Sequence, residues 1–393
     1  MLKKIILEKI YILFTIISIS GYSIINMLAN EKDSIYSTED PLLLKLLVGV
    51  LFMMSLTYIL YNHNLISSNK ITRLLLFLST YMAIWRIIGL PITAGLFAYL
   101  YQPMRDLLII NMFLFTCIIS TKSEELTKFF STSMMFALLI TSFFYYKNWT
   151  FANEVDEAHL GTSYYVLFLL PMVLVAAHKW IKLLAIVITA AVIFSSFKRG
   201  GSIALVGATI VYLFVKEILI EHKFTKLIWF ITIISLLMIL LIYIDNAMGN
   251  IISERIMNIT EDGGSGRDEV WATTWKMIKR SDFGYLIFGH GYDAVSKNSL
   301  LELSAHNDFL EVLYNYGIIS FIPYLFIHIH LIKQVCKSIK EQDKRAPIMS
   351  FTYVIFIVLS MISHVIVYPW AVLIAMTWGL FNNSKFNSIQ HVK

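Results

Sequence analysis

Apolar residues run along this chain in long blocks broken by short polar stretches, with no alternation of the kind barrel strands show. Blocks such as 11–28, 227–244 and 348–367 reach or approach the roughly 20 residues that carry a helix across a hydrocarbon slab of about 30 Å. Marking every such block predicts spans at 10–29, 42–61, 72–90, 104–120, 129–146, 162–177, 182–197, 201–216, 227–244, 309–331, 348–367 and 369–381. The expectation is an all-α integral membrane protein of about 12 transmembrane helices. Residues 1–244 would carry helices 1–9, residues 245–308 one long hydrophilic loop, and residues 309–393 helices 10–12 with a tail.

Charge orients this plan. Counting Arg73 at a helix edge, the segments that face inward when the N-terminus is inside hold 19 Lys and Arg, against seven elsewhere once the long loop is set aside. Acidic residues Glu31, Asp33, Glu39, Asp40, Glu154, Asp156 and Glu157 fall in loops on the other side. Both termini are therefore expected in the cytoplasm and the long loop outside. Lys3 and Lys4 before an apolar stretch imitate a signal peptide, but the stretch is long and no small-residue cleavage site closes it, so it reads as a retained helix.

Composition agrees. With 58% hydrophobic and 15% charged residues over 393 positions and a mean hydropathy of +0.70, the solvent of this chain is lipid. The net charge of +6 is accounted for by topology, so no nucleic-acid partner is required. Two cysteines, Cys117 and Cys336, supply neither a disulfide framework nor a metal site, and His328 and His330, two apart on a helix, face different sides. No metal and no cofactor is expected.

Basic residues at the outer membrane edge are the first candidates for chemistry, because charge beside a bilayer is expensive. Arg86 lies about one turn before the end of the third span, Arg105 would begin the fourth, and Lys198-Arg199-Gly200-Gly201 would form the turn between the seventh and eighth. Arg267 and His306 come from the long loop. Guanidinium forks match phosphate oxygens, and a helix N-terminus after the Lys198 turn adds free N–H groups, so an anionic head group is indicated. The alternative is that each arginine merely reaches lipid phosphate. His306, just before the tenth span, suits a general base, with Asp308 or Glu302 as the acid that would orient it and Asn307 alongside. The spans carry almost no other charge besides Arg86, which argues against a transporter of lipid-linked substrates, the rival from another class.

The motifs and their order resemble a known family. Ser196-Phe197-Lys198-Arg199-Gly200 is followed by Gly266-Arg267-x-x-x-Trp271, by Phe288-Gly289-x-Gly291, and by His306-Asn307-Asp308-Phe309-Leu310 leading to Tyr316-Gly317-Ile318. This resembles the O-antigen ligase and polymerase superfamily over roughly residues 160–330, and the pattern looks closer to the polymerases of O-antigen or capsule repeat units than to the ligases. The resemblance implies a GT-C-like glycosyltransferase of the bacterial inner membrane, acting at the periplasmic face on sugars linked to undecaprenyl pyrophosphate. In lipopolysaccharide or other surface polysaccharide biosynthesis, a polymerase would work beside a chain-length regulator. It further implies that Arg199 and Arg267 engage pyrophosphate and that His306 activates the acceptor hydroxyl; by position alone, Arg86 and Lys198 join the expected pyrophosphate ligands, and Asp308, Asn307, Glu302 and Arg105 the expected supporting residues. Pyrophosphate leaves well once arginines neutralise it, which fits a reaction without metal.

Overall fold

The computed structural model describes residues 2–29, 42–66, 69–90, 95–151, 163–196, 198–223, 266–366 and 370–382, with helical positions at 228, 232 and 235. The described residues are helical, with no strand among them. In chain order the helices are α1 (Leu2–Ala29), α2 (Leu42–Tyr61), α3 (Lys70–Ile88), α4 (Gly95–Lys122), α5 (Glu124–Phe151), α6 (Ser163–Ala176), α7 (Lys179–Ser195) and α8 (Arg199–Leu213). After α8 come α9 (Arg267–Arg280), α10 (Phe283–Phe288), α11 (Ala294–Asn298), α12 (Asp308–Lys340), α13 (Ala346–Ile362) and α14 (Trp370–Phe381). A π-helical stretch, Phe214–Ile220, prolongs α8.

Helices overlie eleven of the expected spans; the ninth, 227–244, lies almost wholly outside the described residues. Among the described residues, seven helical stretches are long and apolar enough to cross a membrane: Ile5–Asn26, Leu42–Tyr61, Lys70–Ile88, Tyr99–Lys122, Glu124–Lys147, Arg199–Ile220 and Asp308–Lys340. Helices α6, α7, α13 and α14, with 14, 17, 17 and 12 residues, fall short of the roughly 20 a straight crossing needs. The chain is a multi-pass membrane protein, and its surface says so directly: Leu7, Phe14 and Ile17 on α1 and Trp180, Leu184 and Val187 on α7 are exposed, while Ser20, Ser23, Thr116, Ser120, Ser131 and Thr141 are buried. An apolar outside around hydroxyl-bearing helix contacts is the arrangement lipid selects.

The chain forms two compact units. The first comprises residues 1–205, 323–327 and 365–393. There α4 packs on α2, α3, α5 and α14, while α6 packs on α5, α7 and α14. Helix α14 is buried along its whole length and α6 from Ser163 to Leu174, as expected for helices apolar all round. Tyr164, Tyr165 and Phe168 close around Trp370 at ring separations of 5.1, 5.9 and 6.0 Å.

The second unit comprises residues 206–322 and 328–364. From Gly266 on its hydrophilic part is folded, residues 245–265 lying outside the described residues: the stretch expected to be helical around Trp271 and Trp275 is α9, which buries Val270, Thr274 and Ile278 on one face. Ile278 packs with Ala294, Val295, Ala305 and Tyr314 in a small apolar core. Helix α12 starts where Asn307 caps it, Oδ1 accepting from the N–H groups of Phe309 (3.0 Å) and Leu310 (3.2 Å).

Candidate active site

In the second unit, the segment from Ser304 to Asn307 is fastened at successive residues. Ser304 Oγ bonds His364 Nε2 (2.9 Å), the Ala305 carbonyl accepts from Trp271 Nε1 (2.8 Å), and the Ala305 N–H donates to Glu311 Oε1 (2.6 Å). Asn307 Nδ2 donates to the Met361 carbonyl (3.0 Å). Between these anchors His306 takes φ +49°, a left-handed conformation uncommon for a residue with a side chain. The surrounding bonds hold that conformation in place, and such retained strain is found disproportionately at functional sites. The His306 ring is partly exposed and lies against His364, ring centres 4.4 Å apart and planes inclined by 40°.

Beneath this segment Glu311 is buried and uses both oxygens, the second accepting from Asn315 Nδ2 (2.8 Å). Asn315 Oδ1 in turn accepts from the Val295 N–H (2.9 Å), so that the first turns of α12 tie α11 and the His306 segment together. His364 Nδ1 stands 3.7 Å from Glu311 Oε1. Asp308 is fully buried in the first turn of α12, and Glu302 is exposed with φ +52°. Glu311 and His364 are the residues that the sequence reading missed. Their signals were there: an acid at the same helical face as Asn315, four residues on, and a histidine interrupting an apolar block.

The glycine motifs have a packing cause. Gly289 (φ +94°) and Gly317 (φ +69°) lie backbone to backbone where the turn after α10 meets the break in α12. The N–H groups of His290 and Gly291 donate to the carbonyls of Tyr314 (3.1 Å) and Asn315 (2.8 Å) across that contact. His290 lies between Tyr285 and Tyr314, ring centres at 4.5 and 4.2 Å, with Nε2 bonded to Ser281 Oγ at 2.8 Å. Burial pushes its imidazole pKa below the ordinary value, against an opposing pull from Asp282.

Arg267 is the first residue of α9 and is partly exposed. In the first unit, Lys198 and Arg199 are partly exposed, and Arg199 with both glycines belongs to α8 itself. The turn expected over residues 198–201 is therefore shorter. Its cause is local: Ser196 caps the end of α7, its Oγ accepts from the Lys198 N–H (3.3 Å), and the Lys198 carbonyl already accepts from Ser202 (3.1 Å).

Two further expectations are corrected in the first unit. Arg105 does not begin the fourth helix, since α4 starts at Gly95 and continues through Pro103. Arg86 is 3% exposed and gives its fork to Asp106, Nε to Oδ2 at 2.6 Å and Nη2 to Oδ1 at 2.8 Å, with Nη1 reaching Gln102 Oε1 at 3.3 Å. Arg86 is accordingly not the near-solitary charge within the spans; Asp106 is buried beside it, as are Glu8, Glu217 and Glu311 elsewhere.

Among the described residues, no three His, Cys, Asp or Glu side chains gather as metal ligands. No curated protein matches the chain. A family model described as O-antigen ligase matches residues 184–325, the stretch that holds Lys198, Arg199, Arg267, His306, Glu311 and both glycine motifs. The match and the order of motifs agree, and they put this segment in the O-antigen ligase/polymerase superfamily, whose members are glycosyltransferase-like enzymes.

Proposed function

We propose that the protein is a repeat-unit polymerase of a surface polysaccharide, O-antigen or capsule, moving a growing glycan from undecaprenyl pyrophosphate onto the next lipid-linked repeat unit. The observation that carries this reading is His306: partly exposed, held at φ +49° by bonds on either side, and inside the segment that matches the family. In the reaction His306 takes the proton of an acceptor sugar hydroxyl as that oxygen attacks the anomeric carbon. The bond from that carbon to the pyrophosphate oxygen breaks, and undecaprenyl pyrophosphate leaves with the electron pair. Arg199 and Arg267 are the candidates for the leaving pyrophosphate, with Lys198 beside Arg199. Arg86, whose fork is given to Asp106, is left out of this pyrophosphate set. The resemblance supports the inner membrane, a His306 segment at the periplasmic face and a chain-length regulator as partner, and the charge distribution supports both termini inside.

Ligation of finished glycan to lipid A core is the second reading, favoured by the description of the matching family. The test incubates purified protein with undecaprenyl-pyrophosphate-linked repeat units, with chelator, and resolves the lipid-linked products. A ladder lost in His306→Ala is the expected result. Transfer that appears only once lipid A core is added makes the protein a ligase, and full activity of His306→Ala in either assay overturns His306 as the base.

A further inference from the structure

Helix α9 carries six charged residues and cannot be a span, and α10, with six residues, is too short to be one. Yet both turn large apolar side chains outward: Trp275 is 46% exposed, Phe283 77%, Tyr285 52% and Phe288 54%. A contiguous apolar surface of this kind marks a place where something docks. Basic residues border it. Lys276, Lys279 and Arg280 are exposed in the second half of α9, with Lys279 Nζ 5.7 Å from the Trp275 ring centre, whereas the exposed acids Asp268 and Glu269 stand at the opposite end of the helix. Between Lys276 and Phe288 only Asp282 is acidic. Aromatic rings flanked by lysine and arginine suit a lipid interface, where the rings lie at headgroup level and the cations meet phosphate.

Helix α12 fixes the depth of this face. Its Tyr314 and Asn315 carbonyls accept the N–H groups of His290 and Gly291, directly after α10, and Gly289 meets Gly317 backbone to backbone. From Gly317 the chain reaches Lys333 without an intervening Asp, Glu, Lys or Arg, a rise of about 24 Å at roughly 1.5 Å per residue. With Lys333 at one edge of a hydrocarbon slab of about 30 Å, Gly317 therefore lies just inside the other edge. The backbone contact holds α10 at that level, where acyl chains give way to headgroups.

We infer that α10 and the last turns of α9 form a lipid-docking surface whose occupant is the bilayer itself. Phe283 and Phe288 enter the acyl-chain edge of one leaflet, Tyr285 and Trp275 rest among headgroups, and the lysines beside them face phosphate. The contact reaches the His306 segment through two bonds, from Asn315 Nδ2 to Glu311 and from the Ala305 N–H to the same carboxyl group. It thus holds His306 at the depth of lipid-borne phosphate. The lipid contact stands whether or not His306 is the base.

The experiment places a nitroxide on single cysteines of the full-length protein, with Cys117→Ser and Cys336→Ser, in nanodiscs of phosphatidylethanolamine and phosphatidylglycerol. Gly284→Cys is the reporter, because Gly284 is exposed on α10 and a Cβ there meets nothing within 4 Å. Asp268→Cys, exposed at the far end of α9, is the control. EPR power saturation compares collisions with oxygen, which concentrates among acyl chains, and with a water-soluble nickel chelate. Oxygen should dominate at position 284 and the chelate at 268. Phe288→Cys repeats the reading and decides the matter if Gly284→Cys does not fold. Chelate dominance at 284 and 288 equal to that at 268 overturns the inference. Shielding from both reagents overturns it too, and spin–spin broadening would then make the occupant a second copy of the chain. Activity is not read, so failure of the His306 reading leaves this test untouched.

Discussion

Gly289 and Gly317 are so close that a Cβ on Gly317 would lie 2.5 Å from the Gly289 amide nitrogen, and one on Gly289 would lie 2.5 Å from Tyr316 Cα. Both residues also hold a positive φ, which side chains strain. Because the obstacle is backbone, it cannot turn aside. Gly289→Ala and Gly317→Ala are each expected to destabilise the second unit by about 3 kcal/mol or more, read as a lowered unfolding temperature in detergent. Wild-type stability of either variant would show that the α12 break and the α10 turn move apart freely.

The Arg86–Asp106 pair is buried at both ends, with side-chain exposures of 2% and 4%. Removing one partner leaves a stranded charge, whereas removing both leaves none. Asp106→Leu or Arg86→Met alone should cost about 3–5 kcal/mol, and the double variant should recover most of it. A double-mutant cycle on thermal unfolding measures the coupling. Additive losses would mean that the two side chains do not depend on each other.

Glu311→Gln keeps the shape but brings one N–H₂ group where only acceptors fit. Ala305 N–H and Asn315 Nδ2 both donate to the carboxylate, and Asn315 is fixed in that orientation because its Oδ1 is used by the Val295 N–H. One donor must face another, at about 1–3 kcal/mol. Hydrogen exchange should show the His306 segment opening more often in this variant. Exchange at the wild-type rate would show that the carboxylate does not hold the segment.

His290 makes the stretch around α10 sensitive to acid. Its folded pKa lies below the unfolded value of 6.5, chiefly through burial between the two tyrosines, although Asp282 opposes the shift. The stabilisation is therefore full above 6.5 and is lost as pH falls from there through the folded value, because the unfolded chain binds the proton first. Proteolytic nicking around α10 should rise on mild acidification in wild type, and His290→Phe, which keeps the stack without a titrating group, should flatten that rise. A rise of the same size in His290→Phe would assign the sensitivity to another group.

The sequence alone determined the helical, membrane-spanning character, because length and apolarity of a block decide whether it can reside in lipid. It also marked the motifs Gly266–Arg267, Phe288–Gly289, His306–Asn307 and Tyr316–Gly317, since special residue types in a fixed order survive as text. Tertiary structure decided the rest. That Arg86 is taken by Asp106, that Glu311 and not Glu302 holds the chain at Ala305, and that His364 lies on His306 are facts about side chains 20, 6 and 58 residues apart. Partners at such separations are chosen by packing, and hydropathy along the chain carries no record of which polar groups will share a buried site.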